Sequence, residues 1–241
     1  VRVEVCGKVD SQSRPQLCKA YGDGFKPEGA IQQNAAFMRI GAMGYLAEAS
    51  AGDDNFYGGA LRAPIKFVGT EWDADTGVLT ADPDGVGGTN SGLINYINLI
   101  GMRGQYKSTA PGAELFYEGL RYLQGRGPSS ETGDVATDDG FAVWNTRGDP
   151  VTESCQRSVA AMIGHSSFAA DWYVPGNSKP VQGDKARSAD GFHGSFDVEQ
   201  AVKSMGAPED GLSNANASDS YYFAGAAYWA HTNPIRADAS T

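Results

Sequence analysis

At 241 residues, with 41% hydrophobic and 20% charged side chains, the chain can bury one substantial core and sits among ordinary globular proteins. A formal net charge of −10 repels phosphate backbones and anionic lipid, which argues against nucleic-acid or membrane-surface partners, and no Lys/Arg run offsets it locally. The 32 glycines and 11 prolines point to long ordered loops around a modest core, and no apolar stretch approaches the roughly 20 residues of a bilayer span.

The chain opens on an alternating strand pattern, VRVEV, with neither initiator Met nor signal peptide, and it closes on Asn233-Pro234 without a further strand. Both ends read as cuts within a larger polypeptide. Cys6 and Cys18 bracket a short polar loop containing Arg14-Pro15, which suits a disulfide or, in a reducing compartment, two buried thiols. Cys155 is left over, either free or paired beyond this segment.

Residues 27–37 read as a short helix opened by proline, and 38–45 (MRIGAMGY) as a buried strand. Residues 61–69 and 76–80 read as a hairpin joined through Glu71-Trp72-Asp73-Ala74-Asp75. Asn90-Ser91 is placed to cap a helix from 92 to 100. Residues 111–123 carry Leu115, Phe116, Leu120 and Leu123 at helical period, with Pro111 in the first turn. Residues 158–164 (SVAAMIG) read as a buried parallel strand ending at glycine. Helices are expected at 196–205 and 219–231, the second with Tyr221, Tyr222, Phe223, Tyr228 and Trp229 as core aromatics. The order predicts a single α/β domain over 1–241 with a mainly parallel sheet. A small β-rich lobe is inserted at about 47–90 and a polar loop at about 125–150.

Three constellations could carry chemistry. Gly164-His165-Ser166-Ser167-Phe168 follows an apolar run as a nucleophile elbow does. Asp197 or Asp219 and His231 follow in hydrolase order, so one alternative is a secreted serine hydrolase using Ser166. Phe168 is large where the elbow needs a small residue, and the plain reading is a strand end entering a loop. Asp73, Asp75, Asp82 and Asp84, with Asn90, form an acid-rich stretch that could hold Ca²⁺ in a carbohydrate-binding module. Its spacing departs from the EF-hand loop, and solvated loop acids are the plainer account, as for Asp134, Asp138 and Asp139. Arg147-Gly148-Asp149 is an integrin-type tripeptide that also suits a simple turn beside Pro150.

An ordered set of phrases carries a resemblance. VRVEVC at 1–6, Cys18, Tyr21-Gly22, Lys26-Pro27-Glu28-Gly29, Gly59-Ala60-Leu61-Arg62-Ala63 and Thr89-Asn90-Ser91-Gly92 open it. The helix AELFYEGLRY at 113–122, Ser154-Cys155-Gln156-Arg157 and AYWAHTN at 227–233 continue it. Together they resemble the N-terminal half of PilY/PilC-type type IV pilus adhesins. The resemblance implies a von Willebrand factor A-like, doubly wound α/β scaffold elaborated by loops. It also implies export to the pilus tip or bacterial outer surface, and a non-enzymatic role in adhesion and pilus assembly. Minor pilins or other tip proteins and a host or surface ligand would be its partners, and the Cys6–Cys18 disulfide is favoured. A-type domains bind a divalent cation through a D-x-S-x-S loop, a Thr and a later Asp. This chain has no D-x-S-x-S, and the other two positions fall at Ala110 (beside Thr109) and His165. No cofactor is expected beyond the weak calcium candidates.

Overall fold

The computed structural model describes residues 6, 18–22, 24–45, 58–87, 90–100, 102, 110–130, 141–142, 144, 148–164, 171–178, 187–191, 195–206 and 221–236. Strand β1 (Cys18–Tyr21) pairs antiparallel with β2 (Gly24–Pro27) across a tight turn at Gly22, and Cys6 is disulfide-bonded to Cys18 at the root of this ribbon. The expected strand at 1–6 lies, apart from Cys6, outside the described residues. One helical turn, α1 (Ala30–Gln33), follows, shorter than the 27–37 helix anticipated, and Gly29 N–H donates to Gln32 Oε1 at 2.8 Å to close its N-terminus.

The second ribbon pairs β3 (Arg39–Gly44) with β4 (Ala60–Phe67), from Arg39 opposite Phe67 to Gly44 opposite Ala60. The register shifts between Ile40 and Ala42, opposite Pro64 and Ile65. Pro64 has no N–H to give to a ladder, so a bulge is the low-cost solution there. The Ile65 N–H that the bulge frees donates instead to the Tyr122 hydroxyl at 3.0 Å.

Helix α2 (Leu93–Leu99) starts after Gly92, and α3 (Gly112–Leu123) after Pro111, close to the helix read from periodicity. Helix α4 (Val198–Ser204) is capped by Asp197, whose carboxylate accepts from Gln200 N–H at 2.8 Å. Helix α5 (Tyr222–Thr232) presents Tyr222, Ala226 and Trp229 inward, while Tyr221 and Tyr228 face solvent. The larger core joins Ala113, Tyr117 and Leu120 of α3 to Val198, Ala201 and Val202 of α4 and to the inward face of α5, with Val174 and Phe196 between them. Phe196 is its hinge: its ring stacks on Tyr117 and meets Trp229 edge-on, each with centroids 5.2 Å apart. A smaller core gathers Ala35, Ala63, Val68 and Leu93 under the β3–β4 ribbon.

Three sequence expectations are corrected. Residues 61–69 do form a strand, but it pairs with β3, while the 72–79 segment closes on itself through a lone Trp72–Leu79 antiparallel bridge. Asp73 sets that tight turn by accepting from Asp75 and Thr76 N–H, so the segment returns before it can reach β4. The α2 cap is not Asn90-Ser91. The Ser91 hydroxyl turns to Asp82 at 2.6 Å, and Glu71, over 20 residues upstream, accepts from Leu93 and Ile94 N–H at 2.9 and 2.8 Å. Residues 158–164 are neither strand nor buried: Val159 is 91% and Ile163 99% exposed. An apolar run becomes a buried strand only where an edge and a facing layer are offered, and among the described residues none reaches it. Strand pairing among the described residues is thus local and antiparallel where a mainly parallel sheet was anticipated. The single Asn90–Phe141 bridge is parallel.

Glu71 is 1% exposed and also holds Lys66 at 3.4 Å. Glu71→Ala strands two buried N–H donors and is expected to cost about 2–4 kcal/mol in urea unfolding, with Glu71→Gln costing less. Equal midpoints for wild type and Glu71→Ala would show that the cap does not matter.

Candidate functional site

Helix α3 is amphipathic in an unusual sense: its buried face carries Glu114 and Glu118, both 0% exposed. Glu114 accepts from Gly58 N–H at 2.7 Å and Tyr173 N–H at 2.9 Å, and Glu118 from Ser129 N–H at 3.0 Å. At the N-terminus of α3, Asp171 Oδ1 accepts from Ala113 and Glu114 N–H at 2.8 and 3.2 Å, a cap supplied by a distant loop. The helix is therefore bound to three loops by carboxylates that have left water only because each meets backbone donors.

The segments at Ser129, Tyr173 and 187–190 form a cleft of about 390 Å³ beside α3, walled by Tyr117, Arg121, Ser129, Tyr173, Arg187 and Asp190. A two-way backbone bridge holds Asp190 to Phe196, at 2.8 and 2.7 Å, and Phe196 stacks on Tyr117, so wall and core are one unit. Asp190 Oδ2 accepts from the Tyr117 hydroxyl at 2.5 Å and pairs with Arg126 and, at 3.5 Å, with Arg121. Arg121 also donates to the Gly127 and Pro128 carbonyls at 3.1 and 3.2 Å, which fixes its guanidinium. Across the cleft, Arg187 donates its N–H to Asn177 O, and its guanidinium lies over the Tyr173 ring, 4.5 Å from the centroid. Arg121 and Arg126 thus meet at Asp190, and with Arg187 over the Tyr173 ring the described lining of the cleft carries two arginines to one carboxylate.

Burial pushes the Tyr117 hydroxyl up, the Asp190 hydrogen bond adds to this, and Arg121 opposes it. Tyr117 stays protonated at neutral pH, where it donates and does not act as a base. Among the described residues that line the cleft are serine hydroxyls but no imidazole or thiol. Such a cleft is equipped to bind a carboxylate or another anion by hydrogen bonds and charge.

The residues singled out from sequence fall elsewhere. Asp149 is clasped by both terminal nitrogens of Arg236, which also donates to Leu123 O at 2.7 Å. That pairing holds the Asp149 carboxyl below the usual carboxylate range. Gly148 is exposed, and Arg147 lies outside the described residues. Asp73 accepts from Thr76 through both its hydroxyl and its N–H, and Asp82 from Ser91, Val86 and Gly87. Asp84 pairs with Lys66, and Asp75 is exposed. A cation there would have to displace these donors. Among the described residues no three His, Cys, Asp or Glu side chains converge as a metal site requires. Ser166, His165, Asp219, Thr109, Asp134, Asp138 and Asp139 lie outside the described residues. Asp197 is spent as a helix cap, and His231 is exposed near the end of α5. Cys155 is a free, exposed thiol. Sequence reading passed over Glu114, Glu118, Asp171 and Asp190. The one available signal was the i, i+4 acid pair within an otherwise aromatic helix.

No family model matches the chain, and no solved structure matches it. A type IV pilus biogenesis factor PilY1 homolog of Xylella fastidiosa is 31% identical over 296 aligned residues, which take in 99% of this chain. The chain is similar to that PilY1 homolog along almost its whole length. It spans 24% of the length of that relative. The alignment thus runs through α3 and the loops that build the cleft of this chain.

Burial, with the charges of Asp171 and Glu114, pushes Tyr45 up to about 12, and burial likewise raises Tyr117 and Tyr222. The unfolded tyrosines ionise near pH 10, roughly. The folded state holds these protons more tightly, so the associated stability is complete below that pH and is lost as pH rises through the folded values. Absorbance at 295 nm followed alongside circular dichroism should show these phenols ionising only together with unfolding. Full phenolate absorbance from an intact fold at about pH 10 would contradict the buried placement.

Proposed function

We propose that this chain is a non-enzymatic segment of a type IV pilus biogenesis factor. It works outside the cytoplasmic membrane, at the pilus tip or bacterial surface, in pilus assembly and attachment through protein–protein contact. The similarity to the PilY1 homolog over 99% of the chain carries this reading. The Cys6–Cys18 disulfide fits an exported protein, since such bonds persist in oxidising compartments. Loops carried on an A-type α/β scaffold are the recognition elements in this reading, and rigid scaffolds with variable loops are a common basis for binding. Minor pilins, other tip proteins or a host or surface ligand are the partners, and the arginine cleft beside α3 takes an acidic side chain from one of them.

The test is genetic and biochemical together. In the source bacterium, deleting the codons of residues 112–236 in frame should abolish surface piliation or attachment; normal levels of both would sink the proposal. Arg187→Glu, which reverses charge at the cleft without touching either core, should cut recovery of pilus proteins on the purified protein by about tenfold with little change in melting temperature. Unchanged recovery would remove the cleft from the contact.

A further inference from the structure

We propose that residues 158–164 are a strand which, in the intact polypeptide, is covered by a β-strand from outside these 241 residues. The pattern SVAAMIG is apolar on both alternating faces: Val159, Ala161 and Ile163 on one, Ala160 and Met162 on the other. A strand with two apolar faces belongs inside a sheet covered on both sides. Here Val159 is 91% and Ile163 99% exposed, and no backbone group from 158 to 164 bonds to another described residue. The run also carries no charge. Native edge strands resist self-pairing with charged residues, prolines or bulges, and this segment has none of them.

The root of the segment is fixed. Arg39, the first residue of β3, donates to Pro150 O, Thr152 Oγ1 and Gln156 Oε1 at 3.2, 2.9 and 3.1 Å, and to Ile65 O of β4 at 3.1 Å. One guanidinium therefore ties the approach to the segment onto the end of the β3–β4 ribbon. The same end presents Phe37 at 84%, Met38 at 51% and Phe67, opposite Arg39, at 55% exposure. A two-stranded ribbon with an apolar rim, and an apolar segment that follows its tether without pairing to any described residue, fit the margin of a larger sheet.

The occupant is assigned to the same polypeptide because the PilY1 homolog extends well beyond the matched region, which is 24% of its length. That leaves ample chain to supply the missing strand and its covering layer. The inference rests on that length relation and on exposure, and is independent of the adhesion reading.

Hydrogen exchange by mass spectrometry decides it, on the natural full-length polypeptide and on the 241-residue chain, each at low micromolar concentration. Amides 158–164 are expected to exchange at least about a hundredfold more slowly in the full-length protein. Fast exchange in both overturns the proposal. Protection in the short chain that grows with concentration overturns it in favour of a second copy. Protection of the full-length protein only when pilus proteins are added overturns it in favour of an external partner. An Ala161→Cys variant gives a second readout: its thiol should react with maleimide freely in the short chain and slowly in the long one, and equal rates count against the proposal.

Discussion

A carboxylate buried against backbone N–H groups is the interaction on which this architecture depends. Loops cannot enter a protein interior unless their amides find acceptors, because an unpaired buried N–H costs as much as a lost hydrogen bond. In this chain Glu71, Glu114, Glu118 and Asp171 supply those acceptors, and each is at most 1% exposed. Each reaches from one segment to another far along the sequence: Glu71 to α2, Asp171 to α3, Glu114 to Gly58 and Tyr173. The hydrophobic clusters are modest by comparison, and the acids locate the loops around them. Removing one acid therefore does more than empty a site. It leaves buried donors stranded, so losses at these positions should be larger than at an exposed ion pair.

The legible part of the fold was the part governed by local periodicity. Helix α3 was readable because Phe116, Leu120 and Leu123 recur at helical spacing behind Pro111, and α4 and α5 for similar reasons. Strand partners were not readable. Residues 61–67 look the same whether they pair with 76–80 or with β3, and the outcome was decided by the Asp73 turn and by Pro64. The candidate cleft was less legible still. Asp190 and Glu118 resemble solvated acids in any window of sequence, and only the fold brings Tyr117, Arg121 and Arg126 to the first and Ser129 to the second. Asp149, read either as a recognition acid or as part of a simple turn, is clasped by Arg236 from the far end of the chain, a partner no window of sequence around it contains.

Charge placement connects this interior design to the surface. The net charge of −10 is an excess of acids over bases that ion pairing leaves unchanged, because each pair takes up one charge of each sign. Arg121, Arg126 and Arg236 are drawn to Asp190 and Asp149, and Lys66 to Glu71 and Asp84. The unpaired excess of acids gives the chain its negative charge, and within it the cleft beside α3 sets Arg121 and Arg187 against the single carboxylate of Asp190. Long-range repulsion from the rest of the surface would slow an acidic partner, while short-range contact with the cleft would hold it. Such binding should depend strongly on ionic strength, in opposite senses for approach and for retention.

The abundance of glycine follows from the same constraint. A carboxylate can serve backbone donors only if the chain comes within hydrogen-bond distance, and a Cβ is often in the way. At Gly92 a Cβ would lie 3.0 Å from the Glu71 carboxyl carbon and 2.5 Å from Pro83, in a backbone with φ +89°. At Gly176, with φ +87°, it would lie 2.6 Å from Asp197 Oδ1 and 2.8 Å from Val198 N–H, at the capped start of α4. Both glycines stand directly against a capping acid, and both adopt a conformation that side-chain-bearing residues avoid. The acid and the glycine are therefore a unit: the first satisfies the loop, and the second lets the loop arrive. A chain that organises its interior in this way must be rich in glycine and can afford a small apolar core, which is the composition this sequence has.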